Sequence, residues 1–191
     1  MNKKTKALTT EQYKEIIQTM REGFSGCRPN KRTATALVLE GNLGLRISDI
    51  LQLRLRDIVR DGDRYRLEIT EQKTGKRRQV GLPDWLITEI IRRAGASEWA
   101  FPGRDSKKHR TRQAVWKDIK RVQRALRLDI NLGTHSMRKD YAVWLMRQYG
   151  DIAKVQRALN HDSSTVTMLY AMADKLTETA QQRRNVRRRK R

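Results

Sequence analysis

The sequence is short of the residues that build disulfide frameworks and metal sites. Its 191 residues include a single cysteine, Cys27, and three histidines. One cysteine excludes a disulfide framework and any zinc site built on cysteine ligands. The sequence also has no H-E-x-x-H motif, no paired carboxylates in an apolar setting and no G-x-x-x-x-G-K-S/T loop. Metal-dependent catalysis and nucleotide hydrolysis are therefore poorly supported.

Long apolar runs and acidic residues are scarce as well. No stretch reaches the roughly 18 apolar residues that a membrane span needs, and residues 1–10 lack an apolar signal core. We therefore expect an intracellular protein without a membrane partner. Lysine and arginine total 43 against 21 acidic residues, which gives a formal charge of +22. A surplus of this size favours a polyanionic partner, with nucleic acid as the first candidate.

The positive charge is concentrated at the C-terminus but is not confined to it. The last nine residues, RRNVRRRKR, hold seven cations and no acid. Removing these seven charges from +22 leaves +15 on residues 1–182, which have the pattern of one folded domain. We therefore predict a single domain over residues 1–182, with a basic surface of its own, and a basic C-terminal tail over residues 183–191.

The hydrophobic pattern predicts a mainly α domain with a small three-stranded antiparallel sheet, an α+β fold. Helix 112–127 is expected to bury Val115, Trp116, Ile119 and Val122, and residues 96–110 are expected to form a loop. The remaining predicted helices begin near residues 10, 31, 46, 84, 136, 151 and 164, and the predicted strands cover about residues 57–60, 64–70 and 77–82.

A metal-free reaction on a phosphate backbone needs fixed cations, a nucleophile and groups that move protons. His135 and Arg138 lie three residues apart at the predicted start of a helix, so they share one face near backbone N–H groups that favour anions. Alone, this pattern is common. His161 also fits a helix C-cap, Lys73 an ordinary turn and Tyr170 a core or surface aromatic residue.

Taken in order, six residues resemble the catalytic signature of the tyrosine recombinase (phage integrase) family. The resembling stretches are GNLGLRISDILQL, TEQKTGKRRQVGLP, THSMRKDYAVWL and LNHDSSTVTMLYA. The similarity covers about residues 8 to 175, and each motif falls in the predicted element where the family has it. The six residues are Arg46, Lys73, His135, Arg138, His161 and Tyr170.

The resemblance implies a site-specific DNA recombinase that cleaves and rejoins double-stranded DNA through a 3′-phosphotyrosine intermediate, with no metal, ATP or other cofactor. It implies that Tyr170 is the nucleophile and that Arg46 and Arg138 clamp the scissile phosphate. Lys73 would protonate the leaving 5′-oxygen, and His135 would help to accept the tyrosine proton.

His161 matches the position that hydrogen-bonds the phosphate. The sequence also departs from the family pattern at three places: Asn160 stands where glycine is usual, Met137 where leucine is commoner, and Asp140 where a small hydroxyl residue is expected. An acid at residue 140 would weaken phosphate binding if it faced the site. Asp49 either orients Arg46 or forms an exposed ion pair with it.

The resemblance further implies double-stranded DNA as partner, a homotetramer on paired DNA sites and accessory DNA-bending proteins. It also implies a cytoplasmic, nucleoid-associated protein of bacterial or phage origin, often part of a mobile element. Only about eight residues precede the first predicted helix, so we expect no separate N-terminal DNA-binding domain and the layout of short bacterial invertases. Candidate DNA-contacting cations are Lys76, Arg77, Arg110, Arg112, Arg187, Arg188 and Arg189.

Three other functions fit parts of the pattern. A DNA-binding regulator on the same fold would have lost catalysis, but such proteins typically lose one or more of the six side chains. A general nucleic-acid-binding protein would need six accidental matches in order. A type IB topoisomerase shares the chemistry, but such enzymes usually encircle DNA as monomers, which a single short domain does poorly.

Overall fold

The computed structural model describes residues 8–160, and it confirms the predicted mainly α architecture with one three-stranded antiparallel sheet. The predicted helix beginning near residue 164 lies outside the described residues. None of the described helices has the length and apolarity that a membrane span requires. The elements are α1 (Thr10–Glu22), α2 (Lys31–Leu43), α3 (Ile47–Leu51), a 3-10 turn (Leu55–Asp57), β1 (Ile58–Asp61), β2 (Arg64–Thr70), β3 (Arg77–Leu82), α4 (Asp84–Ala94), α5 (Arg112–Ala125), α6 (Ser136–Tyr149) and α7 (Ile152–Leu159).

Side-chain caps start several of these helices where the sequence predicts them. The Thr9 hydroxyl accepts the backbone N–H of Gln12 at 3.2 Å, and the Gln12 side chain accepts the backbone N–H of Thr9 at 3.0 Å. This reciprocal pair satisfies two of the donors that a helix leaves open at its start. Asp151 is the N-cap of α7, and its side chain accepts the backbone N–H of Ala153 at 2.8 Å.

The central element is α2, which is buried on nearly every side. Its residues from Thr33 to Leu39 are all buried, as is the carboxyl group of Glu40. The helix packs against α1, α3, α4 and α6, which explains why its apolar residues do not form a single stripe. The C-terminal end of α2 therefore lies among the helices that carry two of the predicted catalytic motifs.

The sheet is a meander in which β2 pairs with both neighbours. Ile58 lies opposite Leu67 in the first pair of strands, and Thr70 lies opposite Arg77 in the second. Leu67 and Leu82 are buried against the helices. Residues 71–76 connect β2 to β3 in a largely exposed turn. The backbone N–H of Gln72 donates to Asp49 at 3.2 Å, and this hydrogen bond holds the turn beside α3.

One core prediction is wrong: Trp116 is 49% exposed rather than buried. The buried face of α5 consists of Val115, Asp118, Ile119 and Val122, and Trp116 lies one position, or about 100°, away from it. Asp118 is buried on this face instead, and its carboxylate accepts hydrogen bonds from Asn30 at 2.8 Å and from Thr33 at 2.7 Å.

Candidate active site

Two of the predicted phosphate-binding residues, Arg46 and Arg138, come together at the junction of α2, α3 and α6. Arg46 is the N-cap of α3, and Arg138 lies in the first turn of α6. Arg138 is buried, and this burial, together with the nearby charge of Arg46, lowers the pKa of Arg138 to about 10. The guanidinium nevertheless stays charged at neutral pH, so the junction holds two cations in a protein interior.

Arg138 is held by backbone carbonyl groups. Its guanidinium donates to the carbonyl oxygen of Gly44, which caps α2, and to that of Leu159 at 2.7 Å, at the end of α7. Carbonyls at helix C-termini lack intrahelical partners and carry partial negative charge, so they suit a cation. Two helix ends therefore fix the orientation of Arg138.

Arg46 is held by a buried carboxylate that the sequence analysis missed. Glu71 is fully buried and accepts hydrogen bonds from Arg46, from Arg78 at 3.2 Å and from the hydroxyl of Thr74 at 3.1 Å. Burial acts to raise the pKa of Glu71, but the hydrogen bonds from Arg46 and Arg78 outweigh it and lower that pKa. The sequence does carry one feature that could have indicated Glu71: it is the one acidic residue in the basic segment EQKTGKRR, directly after the alternating residues of the predicted strand.

Arg78, also missed, connects the sheet to the same helix ends. Besides Glu71, it donates to the carbonyl oxygen of Leu43 at 3.0 Å and to that of Ala158. Leu43 ends α2, and Ala158 is the second-last residue of α7. Arg78 therefore reaches both segments that Arg138 binds, one residue earlier in each.

His135 lies next to the two arginines, at the N-cap of α6. The half-buried imidazole has its pKa lowered to about 4 by burial and by the nearby charges of Arg112 and Arg138. Its Nε2 atom is 3.4 Å from the guanidinium of Arg112, which also donates to the hydroxyl of Thr134 at 3.2 Å. His135 is therefore neutral at pH 7 and has the form that accepts a proton.

Lys73 is exposed at the turn between β2 and β3. The turn is closed by backbone hydrogen bonds from Gly75 to Glu71 at 2.8 Å and from Glu71 to Lys76 at 3.0 Å. Asp49, expected either to orient Arg46 or to pair with it on the surface, is instead buried and accepts the backbone N–H of Gln72. It therefore fastens the turn to α3.

Four of the predicted DNA-contacting cations lie in the described part of the chain, and their surroundings differ. Lys76 and Arg77 are exposed beside Lys73, and Arg112 lies against His135. Arg110 forms an ion pair with Asp118 and has a side chain only 17% exposed. The predicted site residues outside the described part of the chain are His161, Tyr170, Arg187, Arg188 and Arg189.

The three departures from the family pattern have local explanations. Asn160 ends α7 with φ +53° and ψ +44°, the left-handed region that glycine and asparagine tolerate best. Met137 is buried in the main core. Asp140 accepts the backbone N–H of Leu8 at 2.7 Å, so its carboxylate binds the segment before α1.

Within residues 8–160, no cluster of three or more His, Cys, Asp or Glu side chains could hold a metal ion.

A neutral imidazole and two charged guanidinium groups that converge at helix ends define a candidate site for phosphoryl transfer. The sequence profile of the phage integrase family matches residues 6–176, and the chain belongs to that family. The family prediction is thus confirmed. The chain is 32% identical over 154 residues to "Probable integrase/recombinase YoeC" of Bacillus subtilis (strain 168). The aligned region covers 79% of this chain and 83% of that protein.

Other relatives are longer than this chain. It is 27% identical over 171 residues to "Tyrosine recombinase XerA" of Thermococcus kodakarensis. The aligned region covers 86% of this chain but only 57% of that protein. Among solved structures, XerH site-specific recombinase in a post-cleavage complex with palindromic difH substrate matches with a TM-score of 0.70, 22% identity and coverage of 94% of this chain and 53% of that chain.

A lambda integrase dimer bound to a COC′ core site matches with a TM-score of 0.69, 20% identity and coverage of 90% of this chain and 49% of that chain. At these identities the structural matches show the fold, and they confirm the predicted tyrosine recombinase catalytic-domain fold.

Proposed function

We infer that this protein is a site-specific tyrosine recombinase, which cleaves and rejoins double-stranded DNA without a metal or ATP. The observation that carries the inference is the convergence of Arg46, Arg138 and neutral His135 at one junction, although they come from distant parts of the sequence. Two guanidinium groups suit the non-bridging oxygens of a phosphodiester, because their planar donors bind oxygens in pairs and stay charged.

In the proposed reaction, the Tyr170 oxygen attacks the scissile phosphorus. A bond forms between phosphorus and the tyrosine oxygen, and the bond from phosphorus to the 5′-oxygen breaks. His135 accepts the phenolic proton, and Lys73 donates a proton to the leaving 5′-oxygen. The 5′-hydroxyl of another strand then reverses the step, so one phosphodiester replaces another and no external energy source is needed.

The electrostatics of the site support these roles. A phenol with an ordinary pKa of about 10 reacts slowly near neutrality unless a base takes its proton. His135 is neutral at pH 7 because burial and nearby cations lower its pKa to about 4, and a bound phosphate would offset those cations and make the imidazole a stronger base. Negative charge grows on the phosphate oxygens in the transition state, and fixed cations in a water-poor site stabilise it most.

We further propose that the protein acts as a homotetramer on paired DNA sites in the cytoplasm. The fold also matches that of a lambda integrase tetramer bound to a Holliday junction, with a TM-score of 0.67 and 19% identity. Accessory DNA-bending proteins remain part of the proposal. So do the predicted extents, with residues 1–182 as the catalytic domain and residues 183–191 as a basic tail that adds salt-dependent DNA affinity.

Trapping the covalent intermediate tests the function. The protein is incubated with a pool of nicked duplexes of randomised sequence, in which cleavage releases a short 5′-hydroxyl fragment and leaves the protein attached. The wild type is expected to form adducts that resist denaturation, and Tyr170→Phe is expected to bind the same DNA without forming them. Adducts that persist in Tyr170→Phe would contradict the assigned nucleophile. Binding by the wild type without any adduct would favour the DNA-binding regulator.

A further inference from the structure

Glu71 lies where three parts of the candidate site meet. Its side chain is fully buried and accepts hydrogen bonds from Arg46, from Arg78 and from Thr74 of the turn. The side chain of Asn160 also hydrogen-bonds to it, and Asn160 directly precedes His161 in the sequence. One carboxylate therefore contacts the Arg46 segment, the Lys73 turn and the end of α7.

The backbone of Glu71 also shapes the turn that presents Lys73. Its carbonyl accepts the N–H of Gly75 at 2.8 Å, and its N–H donates to the carbonyl of Lys76 at 3.0 Å. Lys73 itself is exposed, so its position follows from the turn rather than from packing of its own side chain. Any shift of Glu71 relative to Arg46 would therefore move Lys73 relative to a phosphate that Arg46 binds in the proposed reaction.

A charged, buried carboxylate is a costly way to hold a fold together. Burial penalises ionisation, and a well-packed apolar group of similar size often gives equal or greater stability. Glu71 remains ionised because Arg46 and Arg78 lower its pKa. The arrangement has a clear advantage in geometry, since a carboxylate bound on both oxygens fixes two guanidinium groups and a turn at defined positions.

We propose that Glu71 is a positioning residue that holds the Lys73 turn against Arg46, so that the general acid reaches the leaving 5′-oxygen while the arginine binds the same phosphate. The proposal rests on the proposed recombinase function. It adds a residue to the six that the family resemblance supplied, and it predicts a specific defect, which is loss of proton donation rather than loss of DNA binding.

Replacement of the leaving oxygen tests this role. A duplex that the wild type cleaves is selected from the randomised nicked pool and is made in two forms, with the natural 5′-oxygen or with a bridging sulfur. A thiol is far more acidic than an alcohol, with a pKa of about 8.5 for a cysteine side chain, so the sulfur leaves without a proton. Cleavage by Glu71→Gln at saturating protein is expected to be about a hundredfold slower on oxygen and to recover most of that loss on sulfur.

Matched variants make the result specific. Lys73→Ala is expected to show the same recovery on sulfur. Glu68→Gln, on the strand that precedes Glu71, removes a partly exposed carboxylate that pairs with Arg66 at 2.8 Å, and it is expected to cleave both duplexes at the wild-type rate. Thermal melting and DNA binding are measured for each variant. Should Glu71→Gln fail to fold, Glu71→Asp keeps the charge but shortens the side chain, and the same expectation applies to it.

The outcomes separate the inference from the function on which it rests. A folded variant of Glu71 that cleaves both duplexes at the wild-type rate would overturn the inference. A variant slowed equally on oxygen and sulfur would overturn it as well, because the defect would then not involve Lys73. If the wild type forms no adduct with any duplex of the pool, the recombinase function itself fails, and the role of Glu71 fails with it.

Discussion

Of the described glycines, Gly44 leaves the least room for a side chain. It caps α2 with φ +60° and ψ +21°, and its carbonyl oxygen accepts a hydrogen bond from Arg138. A Cβ atom at this residue would overlap the ring of Tyr141 and lie 3.0 Å from Cδ2 of Leu159. Gly44→Ala therefore combines a strained backbone with a steric clash beside a proposed catalytic arginine.

A second glycine separates these two costs. Gly150 caps α6 with φ +61° and ψ +4°, but a Cβ atom there would have no neighbour within 4 Å. The left-handed backbone costs an alanine about 1–2 kcal/mol at either residue. Overpacking adds about 1–3 kcal/mol where the space is filled. We expect Gly44→Ala to lose about 2–5 kcal/mol of unfolding free energy and Gly150→Ala only about 1–2 kcal/mol.

Urea denaturation of the two variants checks this difference, and a double variant identifies its cause. Tyr141→Ala removes the ring that the new methyl group would meet and leaves only the flexible end of the Leu159 side chain at 3.0 Å, so in that background the cost of Gly44→Ala should fall close to that of Gly150→Ala. Equal losses for the two glycines in the wild-type background would refute the steric argument. An unchanged penalty after removal of the Tyr141 ring would refute the identity of the clashing group.

The remaining predictions concern charge. The Glu40 carboxyl is fully buried, and burial raises its pKa well above the ordinary value. Ionisation of Glu40 then favours the unfolded chain. Below about pH 4 we expect Glu40→Gln and the wild type to have the same free energy of unfolding, and between the unfolded and folded pKa values of Glu40 we expect the variant to become more stable than the wild type by about 1.4 kcal/mol per pH unit. A difference in urea denaturation that does not depend on pH would contradict this. DNA should raise the pKa of His135 above about 4, because a phosphate offsets the nearby cations; an unchanged NMR titration in the Tyr170→Phe complex would place His135 away from the phosphate. Deletion of residues 183–191 should weaken binding to all DNA sequences and reduce the salt dependence of the affinity; an unchanged dependence would mean that the tail does not bind DNA.

The local patterns of the sequence were enough to predict the elements of the fold. The capping box at Thr9, the alternation of residues 64–70 and the helix start at Ser136 all lie where the structure has them. These signals arise from contacts within a few residues, so a single sequence displays them. Trp116 shows the limit, because helical spacing gives the period of a buried face but allows an error of one position in its phase.

The second layer of the site could not be predicted in the same way. Glu71 and Arg46 are separated by 25 residues, and Arg78 and Ala158 by 80. Two of the three hydrogen bonds of Arg78 and both of the hydrogen bonds described for Arg138 go to backbone carbonyls, which every residue possesses and no motif reports. The type of the residue indicated a cation, but only the fold shows what that cation binds.

These contacts change the meaning of the net charge. Arg78 and Arg138 bind consecutive carbonyls of the same two segments, Leu43 with Gly44 and Ala158 with Leu159. They thus neutralise two helix C-termini, where partial negative charge would repel a phosphate bound at the proposed site. Part of the +22 charge is therefore internal to the candidate site, where it fixes the positions of the groups that we propose bind phosphate. Lysine cannot replace such an arginine, because one ammonium group does not span two carbonyls in a fixed plane.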